Sequence, residues 1–135
     1  MDTISISRSA QERRRDKIEK GEKLNLIRKK LASLSEAEKQ SLISRGLIAT
    51  IEGRTLSVYN TILVYLQPNG LATSVVGGYR QWLKAGRQVK KGEHGFTILI
   101  PVGKKDEGTG DIIEVARFYP ATVFDISQTE IKEEK

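Results

Sequence analysis

Cysteine is absent from the 135 residues and histidine occurs once. That excludes a disulfide framework and a thiolate metal site, and one imidazole falls short of the three protein ligands that a catalytic zinc needs. Uninterrupted apolar runs are short, well below the roughly 20 residues of a membrane span. The start, Met1-Asp2-Thr3-Ile4-Ser5, lacks the charged-then-apolar order of a secretory signal. These absences lead us to expect a cytoplasmic protein with no membrane association. Aromatics are scarce: Tyr59, Tyr65, Tyr79, Trp82, Phe96, Phe118, Tyr119 and Phe124 are the whole stock. Each ring therefore has to be assigned either to the core or to a ligand.

Positive charge is plentiful but unevenly placed. Residues 8–30 hold ten Lys/Arg against four Asp/Glu, residues 79–105 hold seven against one, and residues 106–135 hold three against eight. Two basic blocks and an acidic end suit a polyanion partner that touches defined regions, although a solvated charged surface gives the same totals. The length suits one domain with a tail.

Hydrophobic period organises the chain. Residues 1–17 show almost none and carry Arg13-Arg14-Arg15, as expected of a flexible basic arm. From Lys17 to Leu34 the positions Leu24, Ile27, Leu31 and Leu34 fall at helical spacing. Ser35-Glu36-Ala37-Glu38 is a capping-box pattern opening a second helix, ended by Gly46. Leu56–Leu66 is apolar nearly all round, the mark of a core helix, and its Asn60 either ties the helix to neighbouring backbone or faces a ligand. A short helix is expected from Gly78 to about Ala85, then a basic turn at Lys90–Gly95 and a strand at Phe96–Val102. Gly103–Asp111 reads as a hairpin loop and Ile112–Tyr119 as the returning strand. Pro120 is expected to interrupt, leaving Ala121–Asp125 as an adjoining edge. Together these make an α+β protein, with N-terminal helices packed on a small, mainly antiparallel sheet.

The richest segment is 77–95. Tyr79, Trp82 and Leu83 share one helical face, Arg80, Lys84 and Arg87 another, and Lys90 and Lys91 follow. Cations that track a phosphate backbone, beside flat rings that take unstacked bases, are the equipment of single-strand binding. Gly92 and Gly95 free the backbone of the turn for close approach, and Gln88 adds a hydrogen-bonding amide. Four or five neutralised phosphates would give a salt slope of about −3. A solvated hairpin turn whose lysines discourage edge pairing is the plainer reading. Trp82 and Phe124 fit the core, whereas Tyr79 and then Tyr119 are the candidates for stacking.

Tyr79–Trp82, the run Gly86-Arg87-Gln88-Val89-Lys90-Lys91-Gly92-Glu93-His94-Gly95, the strand ending at Pro101, and Val123-Phe124-Asp125-Ile126-Ser127-Gln128-Thr129-Glu130 together resemble one family. It is the N-terminal single-stranded-DNA-binding domain of ArdC-type antirestriction proteins, carried on plasmids and other mobile elements. The likeness covers about residues 55–130, with residues 18–54 a helical extension and 131–135 a disordered tail. It implies single-stranded DNA as partner, bound without much sequence preference through Tyr79, Arg80, Lys84, Arg87, Gln88, Lys90, Lys91 and His94. His94 stands where the family usually carries a basic residue. ArdC-type proteins continue into a zinc-peptidase-like domain, whose His-Glu-x-x-His pattern is missing here. Glu93 and His94 have no nucleophile or second carboxylate to complete a catalytic site. The expectation is a non-catalytic module without cofactor or metal. Two rivals remain open: an adaptor docking on a separate protein through the Lys17–Leu34 stripe, and a regulatory subunit of an enzyme on another chain.

Overall fold

The computed structural model describes residues 10–133, except for the side chains at 13 and 16–20. Helix α1 spans Ala10–Ser33 and α2 Glu36–Ile43. Residues 10–17, expected in the arm, thus form the first turns of α1, while residues 1–9 lie outside the described residues. Ser35 caps α2 as anticipated: its Oγ accepts from the Glu38 N–H at 3.1 Å, and its own N–H donates to Glu38 Oε1 at 3.0 Å.

Strand β1 is Ala49–Thr50, helix α3 Val58–Tyr65 and strand β2 Val75–Gly77. Helix α4, Tyr79–Lys84, leads to β3, Arg87–Val89. A long hairpin of β4, Phe96–Lys105, and β5, Ile112–Asp125, follows, then β6, Thr129–Ile131. Ile131, expected in the disordered tail, thus pairs with Arg87, while residues 134 and 135 lie outside the described residues. The main sheet has the order β1-β2-β5-β4, with only β1 and β2 parallel, and β3 and β6 form a separate antiparallel pair. The fold is α+β.

Two apolar clusters fill it. Ile48, Leu56, Val64, Tyr65, Val76, Phe96, Ile98 and Val123 form one. Leu31, Ile62, Leu63 and Leu99 form the other, with Leu24, Ile27, Leu34 and Leu66 packed against it. The apolar stripe of α1 thus packs against α3 and β4 of the same chain, with Leu31 buried and Leu24, Ile27 and Leu34 half-buried.

Helix α3 also closes the outer edge of β4. Asn60 donates its side-chain N–H to the Leu99 carbonyl and accepts from the Leu99 N–H, both at 2.9 Å. Seven residues on, Gln67 does the same at Thr97, at 2.7 and 2.9 Å. Two side-chain amides thus act as a neighbouring strand would, and Asn60 ties helix to backbone rather than facing a ligand.

Those bonds explain a departure from expectation: β5 runs unbroken through Pro120. Leu99 pairs with Pro120, and its backbone groups point away from β5 toward Asn60. The pair therefore lies at a site of the ladder that carries no interstrand hydrogen bond. Pro120's missing N–H falls on the far side, which β2 leaves uncovered because it reaches only Phe124 and Asp125. Pro101, opposite Phe118, occupies the same kind of site. The hairpin is also longer than expected, since β4 continues to Lys105 through register shifts after Val102 and Lys104.

Candidate nucleic-acid interface

Helix α4 is fixed before it presents anything. The Trp82 ring, 2% exposed, lies over Gly77, where a Cβ would stand 3.2 Å from the indole and 2.9 Å from Ile51 Cγ2. Its Nε1–H donates to the Phe124 carbonyl at 3.0 Å. Gln81 accepts from the Gly78 N–H at 2.8 Å and donates to Glu52. With Trp82 inward, helical geometry turns Arg80 and Lys84 to the opposite side, where both are exposed. Tyr79 is 54% exposed. Trp82 is core, as the sequence suggested, and Phe124 is half-buried.

Gly86, at φ +82°, ends the helix and delivers the chain to β3. The cations that follow are not equivalent. Arg87 is half-buried: its Nε donates to Thr129 Oγ1 at 2.7 Å and its guanidinium to the Thr129 carbonyl at 3.1 Å. Gln88 donates to Glu130 Oε1 at 3.1 Å across the β3–β6 pair. Lys90 reaches the Ser127 carbonyl at 3.2 Å. Lys91 is exposed at the head of a turn in which the Glu93 N–H donates to the Lys90 carbonyl, with Gly92 at φ +87°. Positive φ at the third turn residue alone is the type II geometry, which explains Gly92. Gly95 has a different cause: a Cβ there would stand 2.8 Å from the Val123 carbonyl. It lets the turn pack on β5 rather than opening the backbone to a ligand. His94 is exposed, and its carbonyl accepts from Gln128.

The final sequence motif is what organises the turn, a role the sequence did not disclose. Asp125, 3% exposed, accepts from the Ser74 and Val75 N–H groups at 2.8 and 3.1 Å and from the Ser127 N–H and hydroxyl at 3.0 and 2.6 Å. Burial alone would push its pKa up. The hydrogen bonds from the Ser127 hydroxyl and from the Ser74, Ser127 and Val75 backbones outweigh that and hold it below the usual carboxylate range. Gln128 accepts from the Asp125 N–H at 2.8 Å and donates to Glu93 and to the His94 carbonyl at 3.1 and 2.7 Å. Asp125, Gln128 and Thr129 thus hold β2, the basic turn and Arg87. The signal in the sequence was the Asp-x-x-Gln-Thr spacing at the end of a strand.

Of the eight nominated residues, Arg87, Gln88 and Lys90 are engaged by β6 and the turn before it. Arg80, Lys84 and Lys91 have no hydrogen-bonding or ionic partner among the described residues. Among those residues no three His, Asp or Glu side chains converge as a metal site would require, and no helix is long and apolar enough to cross a membrane.

Comparison with known proteins bears on the family. Two crystal structures of the antirestriction protein ArdC from plasmid R388 are similar to this chain. The metal-free form is 21% identical, with 69% of this chain and 35% of that chain covered and a TM-score of 0.47. The Mn(II)-bound form is 22% identical, with 72% and 39% covered and the same TM-score of 0.47. The chain therefore spans little more than a third of the length of those proteins. No curated protein matches it. The model of the N-terminal domain of the anti-restriction factor ArdC matches residues 17–134, which takes in the helical segment 18–54 as well as the motifs of 77–130. With nearly the whole chain matched, the protein belongs to the family of ArdC N-terminal domains, an antirestriction family.

Proposed function

We propose that this domain is a non-catalytic module that binds single-stranded DNA with little regard to sequence, in the cytoplasm and in the service of antirestriction on a mobile element. One observation carries the reading: Arg80, Lys84 and Lys91 stand exposed and without a partner among the described residues, with the open ring of Tyr79 beside Arg80 on a helix locked by Trp82. Free cations release counterions when they meet phosphate, and an accessible ring accepts an unstacked base. Arg87, Gln88 and Lys90 are tied to β6 and the turn before it, and Lys90 and His94 stand exposed beside Lys91. A duplex reader would offer a longer helix to the major groove than the six residues of α4. The antirestriction setting comes from the family, and shielding an entering single strand is the role that fits both.

The test is fluorescence anisotropy with labelled single- and double-stranded oligonucleotides at two salt concentrations. The single strand should bind more tightly, and Arg80→Glu/Lys84→Glu/Lys91→Glu should weaken it roughly tenfold or more while flattening the salt slope by about 2. Equal affinity for both forms, or a triple variant that binds like the parent, would refute the proposal.

A further inference from the structure

A second surface of related chemistry lies between α1 and α3, apart from the elements just described. It is an open groove of about 450 Å³ lined by Asn25, Arg28, Lys29, Leu31, Ala32 and Tyr59. The volume falls within the range of small-molecule sites. None of the six lining residues is acidic. Arg28 and Lys29 are exposed and have no partner among the described residues. Tyr59 is 40% exposed, although it sits next to the clamped Asn60 and two residues after the Ser57 cap, whose Oγ accepts from the Asn60 N–H at 3.1 Å. A rigid element thus holds an accessible ring above an apolar floor of Leu31 and Ala32.

We propose that this groove is a second subsite for single-stranded nucleic acid, in which Arg28 and Lys29 neutralise phosphates on either side of a base laid on Tyr59. The proposal rests on the single-strand reading of the α4 surface. Charge, ring, floor and amide each select the same ligand. Phosphates need the cations, a base needs the flat face and the apolar floor, and Asn25 supplies both a donor and an acceptor for a base edge. An acidic peptide would use the cations and leave the ring idle. The apolar stripe of α1, the alternative docking element, already packs in part on α3 and β4, with Leu31 buried. A strand engaging both surfaces would be held at two points, which raises avidity without new contacts at either.

The test is photocrosslinking of the full chain to oligonucleotides carrying 5-iodouracil, with mass-spectrometric mapping, together with salt-dependent binding. Lengths of about 8 and about 20 nucleotides bracket the site sizes known for single-strand binders. The longer oligonucleotide should crosslink at both Tyr59 and Tyr79. Arg28→Glu/Lys29→Glu should abolish the Tyr59 crosslink, keep the one at Tyr79 and flatten the salt slope by about 1.4. Lys104→Glu/Lys105→Glu, the same charge change on the hairpin, should keep both crosslinks. Crosslinking at Tyr79 alone with an unchanged slope would overturn the second subsite and leave the α4 reading standing. No binding and no crosslink at either ring would sink both. Polyglutamate held by Arg28 and Lys29, with no Tyr59 crosslink, would assign the groove to an acidic protein and overturn the proposal.

Discussion

Replacing Asn60 with Leu tests whether a side-chain amide substitutes for a strand at the β4 edge. The change keeps the branching at Cγ, adds some volume and raises helical propensity, but removes both partners of Leu99, whose N–H and C=O each bond the Asn60 amide at 2.9 Å. Leaving two partly buried backbone groups unpaired costs about 1–3 kcal/mol each, and the leucine regains some of this through apolar burial, so a net loss of about 2–4 kcal/mol is expected. Against a total stability on the order of 5–15 kcal/mol, that is a large fraction. The assay is urea unfolding followed by the fluorescence of Trp82, the only tryptophan and a buried one. The midpoint should fall with the denaturant slope unchanged. Asn60→Asp separates hydrogen bonding from packing. Its carboxylate can still accept from the Leu99 N–H but repels the carbonyl, so the variant should recover stability in acid, where the protonated group donates again. A loss below about 0.5 kcal/mol for Asn60→Leu, within the range of ordinary surface changes, would refute the edge-closing role.

Three further outcomes are expected. Arg87→Met should destabilise by about 1–2 kcal/mol in the same urea assay, because a thioether cannot supply the two bonds to Thr129, yet leave the salt slope of DNA binding unchanged; a flatter slope would return Arg87 to the ligand surface. The Asp125 carboxyl is held below its unfolded value, so its stabilisation is complete above about pH 4 and disappears as pH falls through the folded value. Thermal melts of the parent should therefore drop steeply in acid, whereas Asp125→Asn should be less stable at neutral pH and lack that component; parallel acid profiles would disprove it. Gly77→Ala should lose about 1–3 kcal/mol and shift Trp82 emission, since the new methyl meets Ile51 and the indole; unaltered emission and stability would contradict the packing.

Helix positions were legible in the sequence because their signals are local. Ser35 and Glu38 announce the second helix, Gly46 and Gly86 mark helix ends, and the apolar surround of Leu56–Leu66 places it in the core. Strand extents were less legible, because pairing depends on residues far away. Whether Pro120 breaks β5 depends on which side Leu99 turns its N–H, and Asn60, 39 residues distant, reveals that. The candidate site divides along the same line. Exposure of Arg80 and Lys84 follows from helical spacing to Trp82, so pattern sufficed. The engagement of Arg87, Gln88 and Lys90 by residues 127–130 is a long-range fact, and counting charges grouped them with the free cations. The two glycines of the basic turn look alike in sequence, yet one serves a dihedral and the other a close neighbour.

The placement of Pro101 and Pro120 also protects the hairpin against error. Sliding β4 by one residue along β5 would bring one of the two rings into a ladder position that requires a donor it lacks, and would part Phe96 and Ile98 from the face they share with Val123. Correct alignment is therefore guarded twice, by imino acids that veto the neighbouring registers and by the amides of Asn60 and Gln67 that recognise only the right one.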